Sequence, residues 1–411
     1  MEPVSSARRY DVDWLRVFAA YLLFIVHTAK IFDPEPFYHI RNTDLSFGIL
    51  LLVDFIVHWY MPLFFVLAGW SVFASLQTRG TASFLKERVQ RLLIPLVVGC
   101  VLFGPIIKYV ELRSGFDLRP SGLRVSAALQ DSFRAFFPAG LQVATPFSES
   151  FVEFLPTFFK RLNRFTWSHL WFLAYLFTFS VLYCPLFAWL ARTRDRLARS
   201  GAVWVYVPII PLAVIQITLR RRWPCWWNLY DDWANFAYYS TYLLAGFLLA
   251  RSPALERAVH REWRRALGIG LGAAGIFLGS TSGVVRSPAI AWASTAVAGW
   301  CCVVALLGFA RSRPAHSSAV LAYLTESAFP IYILHHPAIV VLGYVIIQLP
   351  LGIGAKFVLV LLASLMVTMA VYHFIVRPVP ILRFLLGMKP RADARRVSVL
   401  LVGTATRAAG G

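Results

Sequence analysis

Arg16 and His27 stand in one apolar run, three helical turns apart on the same face, with about 16 Å of rise between them. A titratable imidazole inside a hydrophobic segment is expensive to keep without a job or a partner, which makes His27 a candidate for acid and base chemistry within a membrane. The plainer reading is a histidine hydrogen-bonded to a neighbouring helix. Asp54 and His58 form a second pair, one turn apart on one helical face. A carboxylate there can fix the tautomer of the imidazole and raise its basicity, or the two can simply satisfy each other. Counted from the ends of their segments, His27 and His58 fall in the same half of the bilayer and can share a site. His27, Asp54 and His58 are therefore the candidate catalytic residues.

Arg88 and Arg91, three apart at the mouth of the third apolar run, share a face from which they can clamp phosphate oxygens bidentately. Topology and snorkelling account equally well for a basic pair there. Ser168-His169-Leu170-Trp171 opens a later run, and Tyr332-Ile333-Leu334-His335-His336-Pro337 lies inside another, with His335 about 12 Å from the expected cytoplasmic end. Taken alone, His169 reads as a structural histidine at a helix end. Neither segment has a carboxylate or cysteine at ligand spacing, so no metal site is expected. Cys100, Cys184, Cys225, Cys301 and Cys302 are odd in number and mostly within apolar runs, which supports neither a disulfide framework nor zinc ligation.

The elements that must carry these residues are membrane helices. Hydrophobic residues make up 58% of the chain and mean hydropathy is +0.64, too apolar for a soluble domain with a polar surface. Runs of about twenty apolar residues predict an all-α polytopic protein with about ten spans. These fall near 12–32, 47–72, 92–110, 169–190, 202–219, 235–250, 267–283, 289–310, 327–349 and 356–377. Pro330 then falls in the first turn of the ninth, where proline is tolerated. Most of the 40 Lys and Arg residues collect on one side of this arrangement, which places both termini in the cytoplasm. A net charge of +20 spread over short loops fits topology and anionic lipid better than nucleic acid.

The first apolar run carries Asp13, Arg16 and His27 and lacks a small-residue cleavage site, so it is expected to stay as a span. Residues 1–388 read as a single transmembrane domain and 389–411 as a disordered cytoplasmic tail. The long segment near 111–167, between spans three and four, holds Pro120, Pro138, Pro146 and Pro156 among aromatic residues and reads as an ordered outer loop. Arg220-Arg221-Arg222-Trp223, followed by Trp226, Trp227 and Tyr230, reads as an interfacial anchor rather than a sugar site. No internal repeat is evident, which weakens a transporter built from inverted repeats.

Together these segments resemble the integral-membrane acyltransferases called acyltransferase family 3, and within them the branch of glucan succinyltransferases. The resemblance lies in Asp13-Trp14-Leu15-Arg16 through His27, Met61-Pro62-Leu63-Phe64-Phe65 through Gly69, and Arg88 through Arg91. It continues in His169-Leu170-Trp171-Phe172-Leu173, in Pro330-Ile331-Tyr332-Ile333-Leu334-His335, and more weakly in Tyr372 to Arg377 with Leu382-Arg383-Phe384-Leu385. It implies transfer of an acyl group, acetyl or succinyl, from cytosolic acyl-CoA to a carbohydrate hydroxyl outside the bacterial inner membrane. Acyl-CoA would be a co-substrate, with no tightly bound cofactor; the other partners are the carbohydrate and membrane lipid. By resemblance His27 is catalytic, and Arg88 and Arg91 hold coenzyme A with Arg16 and His335 along the donor channel. His169, Trp171 and Tyr332 are the expected acceptor side, with Tyr332 or Trp59 as conceivable oxyanion donors. His373 stands where the family carries an acidic residue. A secondary transporter or flippase of an anionic solute, or a non-catalytic membrane subunit, would also show many spans and buried histidines.

Overall fold

The computed structural model describes residues 9–35, 38–118, 147–161, 164–193, 201–225, 227–229 and 231–389. The described residues form helices joined by loops and contain no β-strand. The expected tail from 390 onward and residues 119–146 of the long loop lie outside them. All five cysteines are free thiols.

Helix α1 spans Tyr10–Ala29 and α2 spans Phe47–Thr78. Helix α3 (Thr81–Arg88) runs through a π-helical turn, Val89–Leu93, into α4 (Ile94–Leu102) and α5 (Gly104–Arg113). A short helix, α6 (Phe151–Lys160), follows. Helices α7 (Trp171–Leu182) and α8 (Cys184–Arg192) are bent by 59° at Tyr183, with Pro185 in the first turn after the break. The chain continues as α9 (Ile209–Leu219), α10 (Trp233–Arg251), α11 (Pro253–Thr281) and α12 (Pro288–Ser312). It closes with α13 (Ala319–Ile346), α14 (Ile353–Ala370), a π-helical turn at Val371–Val376, and α15 (Pro380–Leu385).

Each expected span is occupied by helix. Among the described residues seven helical segments are long and apolar enough to cross a membrane, and the bent α7–α8 pair is an eighth candidate. The helices at the sixth and seventh expected positions are less apolar. Helix α10 is dense in tyrosine, and α11 begins with Glu256, Arg257, Arg261, Glu262, Arg264 and Arg265.

Helix starts follow local chemistry. Ser46, Ser150, Ser252 and Ser318 each accept a hydrogen bond from the amide three residues on, which satisfies one of the donors a helix leaves open at its first turn. The Ser318 cap starts α13 eight residues before the apolar run used to place it. Pro330 is therefore in the helix interior, not its first turn, and His335 lies about 24 Å from the helix start rather than 12 Å. A proline in mid-helix leaves the carbonyl four residues earlier without its usual amide. Pro330 and Pro337 thus release the carbonyls of Glu326 and Ile333.

Helices α2 and α10 cross backbone on backbone. A Cβ on Gly69 would run into the Leu243 carbonyl, and one on Gly246 into the Val66 carbonyl. Around this crossing Phe65 packs against Phe172, Phe179 and Tyr239. At the same end of the bundle as Trp233, Arg220 turns inward to Gln216 and Asn235 (2.7 and 2.8 Å) rather than outward as an anchor. Of the long loop, α6 is ordered, capped by a reciprocal Ser150–Glu153 pair and seated by Phe154 and Phe158 on Leu112.

Gly246→Leu should part α2 from α10 and lower stability by about 1–3 kcal/mol or more. Gly268→Ala, where a Cβ meets open space, should leave stability unchanged. Thermal unfolding in detergent compares the two.

Candidate active site

Three helices and one loop bring five imidazoles together. His27, near the end of α1, lies 4.6 Å from His336 and 5.2 Å from His335, between ring centroids. His169, just before α7, stacks on His336 at 4.7 Å and meets His335 edge-on at 5.2 Å. His39, in the segment joining α1 to α2, touches His336 at 5.2 Å, and Tyr38 stacks on His27 at 6.0 Å. His27, His169 and His335 were legible in the sequence. His39 and His336 were not singled out, although His336 stands beside His335 and before a proline.

Two of the rings are tied on one side through main-chain carbonyls. The Nε2–H of His169 donates to the Ile333 carbonyl at 3.1 Å, the carbonyl that Pro337 leaves without an amide. His335 donates through Nδ1 to the carbonyls of Tyr332 (2.7 Å) and Ile331 (3.2 Å). The other side is open: His27 Nδ1, His169 Nδ1, His335 Nε2 and the Tyr38 hydroxyl are buried without a hydrogen-bond partner. Four orphaned polar atoms on adjoining side chains are unusual in a protein interior and mark a place where a polar ligand or water belongs. Among the described residues no three histidine, cysteine or acidic side chains are arranged to hold a metal ion.

A buried charge cluster supports this group. Lys108 and Glu111 are fully buried and paired one turn apart on α5. Lys108 also reaches Asp117 at 2.8 Å, and Glu111 accepts the Leu118 amide at 2.7 Å. Glu111 Oε2 takes the Nδ1–H of His39 at 2.5 Å. His39 Nε2 is then an acceptor, and the Ser168 hydroxyl donates to it at 3.0 Å. The signal for this network was two charged residues three apart at the end of an apolar run. Their partners come from distant segments.

The remaining expected residues are placed as follows. His58 Nδ1 donates to the main-chain carbonyl of Asp54 at 2.6 Å, while the Asp54 carboxylate accepts from Thr281 at 2.9 Å. The His58 ring packs on Phe277 at 4.1 Å. The expected carboxylate–imidazole pairing of these two is therefore replaced by separate partners on α11, because the face of α2 that carries them turns toward that helix. Tyr332 donates its hydroxyl to the His169 carbonyl at 2.5 Å, which ties it as a positioning group. Trp59 Nε1 is buried without a partner. Trp171 lies in an aromatic wall with Tyr175, Trp227 and Tyr239.

At the opposite end of the bundle the arginines gather around a few shared carboxylates. Arg16 bonds Asp13 (3.0 Å) and Ser71 (2.9 Å). One turn further along α2, Ser75 donates to Glu87 (3.0 Å), which Arg79, Arg91 and Arg88 approach at 2.7, 3.6 and 3.7 Å. Arg88 lies over the Phe84 ring, and its Nε is buried without a partner. Gly387, at φ 68°, lets the chain after α15 close against the Arg91 carbonyl. Arg377 and Arg383 share Glu326 at 3.3 and 2.8 Å.

Fold and site together define a multi-pass membrane protein with a buried imidazole site near one face and clustered arginines at the other. The chain belongs to the family described as acyltransferase domain, which it matches over residues 9–373, and it is thus a membrane acyltransferase. It is similar to the glucans biosynthesis protein C of Shigella dysenteriae serotype 1, at 23% identity covering 95% of this chain and 97% of that one. It is equally similar, at 23% identity and the same coverage, to proteins of that name from Escherichia coli O6:K15:H31 and Escherichia coli K12. No solved structure matches the chain.

Glu111→Ala should leave Lys108 and His39 facing each other without their carboxylate, a loss of about 3–5 kcal/mol typical of a broken buried pair. Lower thermal stability with the double variant Lys108→Met/Glu111→Leu partly restored would confirm the assignment.

Proposed function

We propose that this protein transfers an acyl group, acetyl or succinyl, from cytosolic acyl-CoA to a hydroxyl of a carbohydrate on the outer side of the bacterial inner membrane. A glucan is the favoured acceptor, in keeping with the names of its relatives. The topology proposed has ten spans, with both termini and the arginine-rich end in the cytoplasm. The observation that carries the reading is the pair of buried, unpartnered nitrogens of His27 and His335 in the imidazole group, His27 standing on α1 three turns from Arg16.

In this mechanism Arg88 and Arg91 hold the phosphates of the donor, with Arg16 beside them, and a long thioester arm runs along α1 to the imidazoles. Guanidinium groups suit this task because they match phosphate oxygens in pairs and stay charged. His27 takes the proton of the acceptor hydroxyl as its oxygen attacks the acyl carbonyl. Water is kept from the thioester by the surrounding buried rings. His335, tied through Nδ1, offers Nε2 as an acceptor that orients the incoming hydroxyl. Trp59 is a poor candidate for the oxyanion, since its ring is stacked on Phe18 (6.2 Å), some two turns from His27 on α1.

The test is acyl transfer in vesicles carrying the full chain, with labelled acetyl- or succinyl-CoA on one side and a glucan on the other. His27→Ala should lower kcat by about 10²–10⁴-fold, the usual worth of a positioned acid–base group. Arg88→Ala with Arg91→Ala should raise KM for the donor far more than it lowers kcat. A wild type that consumes no acyl donor yet moves an anionic solute across the vesicle would replace this reading with a transporter.

A further inference from the structure

Ser168 has a backbone and a set of neighbours that a merely structural serine does not need. Its φ is 45°, in the left-handed region that side-chain-bearing residues avoid, and it stands at the turn leading into α7. A serine held this way ahead of a helix has its hydroxyl lifted clear of the chain, the geometry that serves a nucleophile. Its hydroxyl donates to His39 Nε2 at 3.0 Å, and His39 Nδ1–H donates to Glu111 at 2.5 Å. Serine, imidazole and carboxylate thus form a continuous chain in which the carboxylate fixes the tautomer that leaves Nε2 as a base. The three residues come from three separate segments, so the order arises from tertiary packing and not from a local turn. The same Ser168 Oγ lies 3.4 Å from His336 Nδ1, and His336 touches His27.

We propose that Ser168 is an acyl-accepting nucleophile and that the transfer runs through an acyl-serine, with His39 and Glu111 completing the triad. The proposal rests on the acyl-transfer reading above. In the first half, Ser168 Oγ attacks the thioester carbonyl carbon and its proton passes to His39 Nε2. The C–S bond then breaks, and the departing sulfur takes that proton and leaves as the free thiol. In the second half, the acceptor hydroxyl attacks the serine ester while His27 takes its proton. The C–Oγ bond breaks, and a proton returns to Ser168 Oγ from His336 Nδ1, which His27 replenishes. The sum is one thioester and one alcohol converted into one ester and one thiol. His27 keeps the role already given to it, and His336 acquires one as the link between the two halves.

The division of labour follows the geometry. Ser168 is partly exposed while the rings around it are buried, so an acyl group on it can be reached by an acceptor from the loop side. Lys108 neutralises Glu111, which keeps one negative charge tolerable in a buried place and leaves Oε2 for His39.

The full chain in vesicles is given radiolabelled succinyl-CoA, then acetyl-CoA, without acceptor, quenched in denaturant, and digested for peptide mass. The expected result is one hydroxylamine-labile acyl group per chain on Ser168, discharged when glucan is added. Ser168→Ala should lose the label and about 10³-fold or more of the transfer rate, the scale seen when a triad nucleophile is removed. Ser168→Cys should still be acylated, now as a thioester, which separates lost chemistry from lost folding. If Ser168→Ala transfers at the wild-type rate, the acyl-serine is wrong and direct transfer by His27 stands. If the wild type consumes neither donor with glucan present, both proposals fall together.

Discussion

The site depends on one buried carboxylate. Glu111 sits where water does not reach, and its charge is tolerable there only because Lys108 lies one turn away and the remaining lone pairs are taken by His39 and the Leu118 amide. Those partners fix three stretches of chain that share no sequence neighbourhood: the end of α5, the segment after α1, and the approach to α7. With them in place His39 holds Ser168, Ser168 sets the start of α7, and His169 is delivered onto the Ile333 carbonyl. The imidazole group is the consequence of that single ionic fixture and of a proline that leaves a carbonyl to be claimed.

Much of this architecture was legible in the residues. Apolar runs located every helix that forms a candidate span, and the basic residues marked one end of the bundle. Arg16 and His27 both lie on α1, while Arg88 and Arg91 meet at Glu87, a partner that their spacing did not name. What spacing cannot reveal is which neighbour a helical face meets. Asp54 and His58 do share a face, but it turns to Thr281 and Phe277, and the main chain outcompetes the carboxylate for the ring. The distance of His335 from the start of its helix was undercounted because a serine cap begins that helix eight residues before the apolar run used to place it. The link between Glu111, His39 and Ser168 was invisible for a different reason, since it exists only after three distant segments close on one another.

The two ends of the molecule differ in how they handle charge. At the arginine end, several guanidinium groups share few carboxylates, so positive charge remains for an anionic partner. At the imidazole end His169 and His335 are held through main-chain carbonyls, which orient without imposing a full charge, and the Glu111 carboxylate is paired with Lys108. This suits a reaction in which the binding of a highly charged carrier and the transfer of a small group occur far apart. The tight α2–α10 crossing at Gly69 and Gly246 seats α2, which carries Ser71 and Ser75 to the arginines, directly on its neighbour.

In the proposed topology the three turns of α1 between Arg16 and His27 lie along the direction in which a membrane potential acts. A neutral acyl group carried through it does no electrical work. An acyl group with a free carboxylate moves a negative charge through part of the field, and a full crossing is worth about 2.3 kcal/mol per 100 mV. With the arginine end on the negative side, the field pushes such a group outward. In the proposed reaction, the distance between two residues on one helix thereby makes the energised state of the membrane a contributor to turnover for dicarboxylic donors and a bystander for monocarboxylic ones.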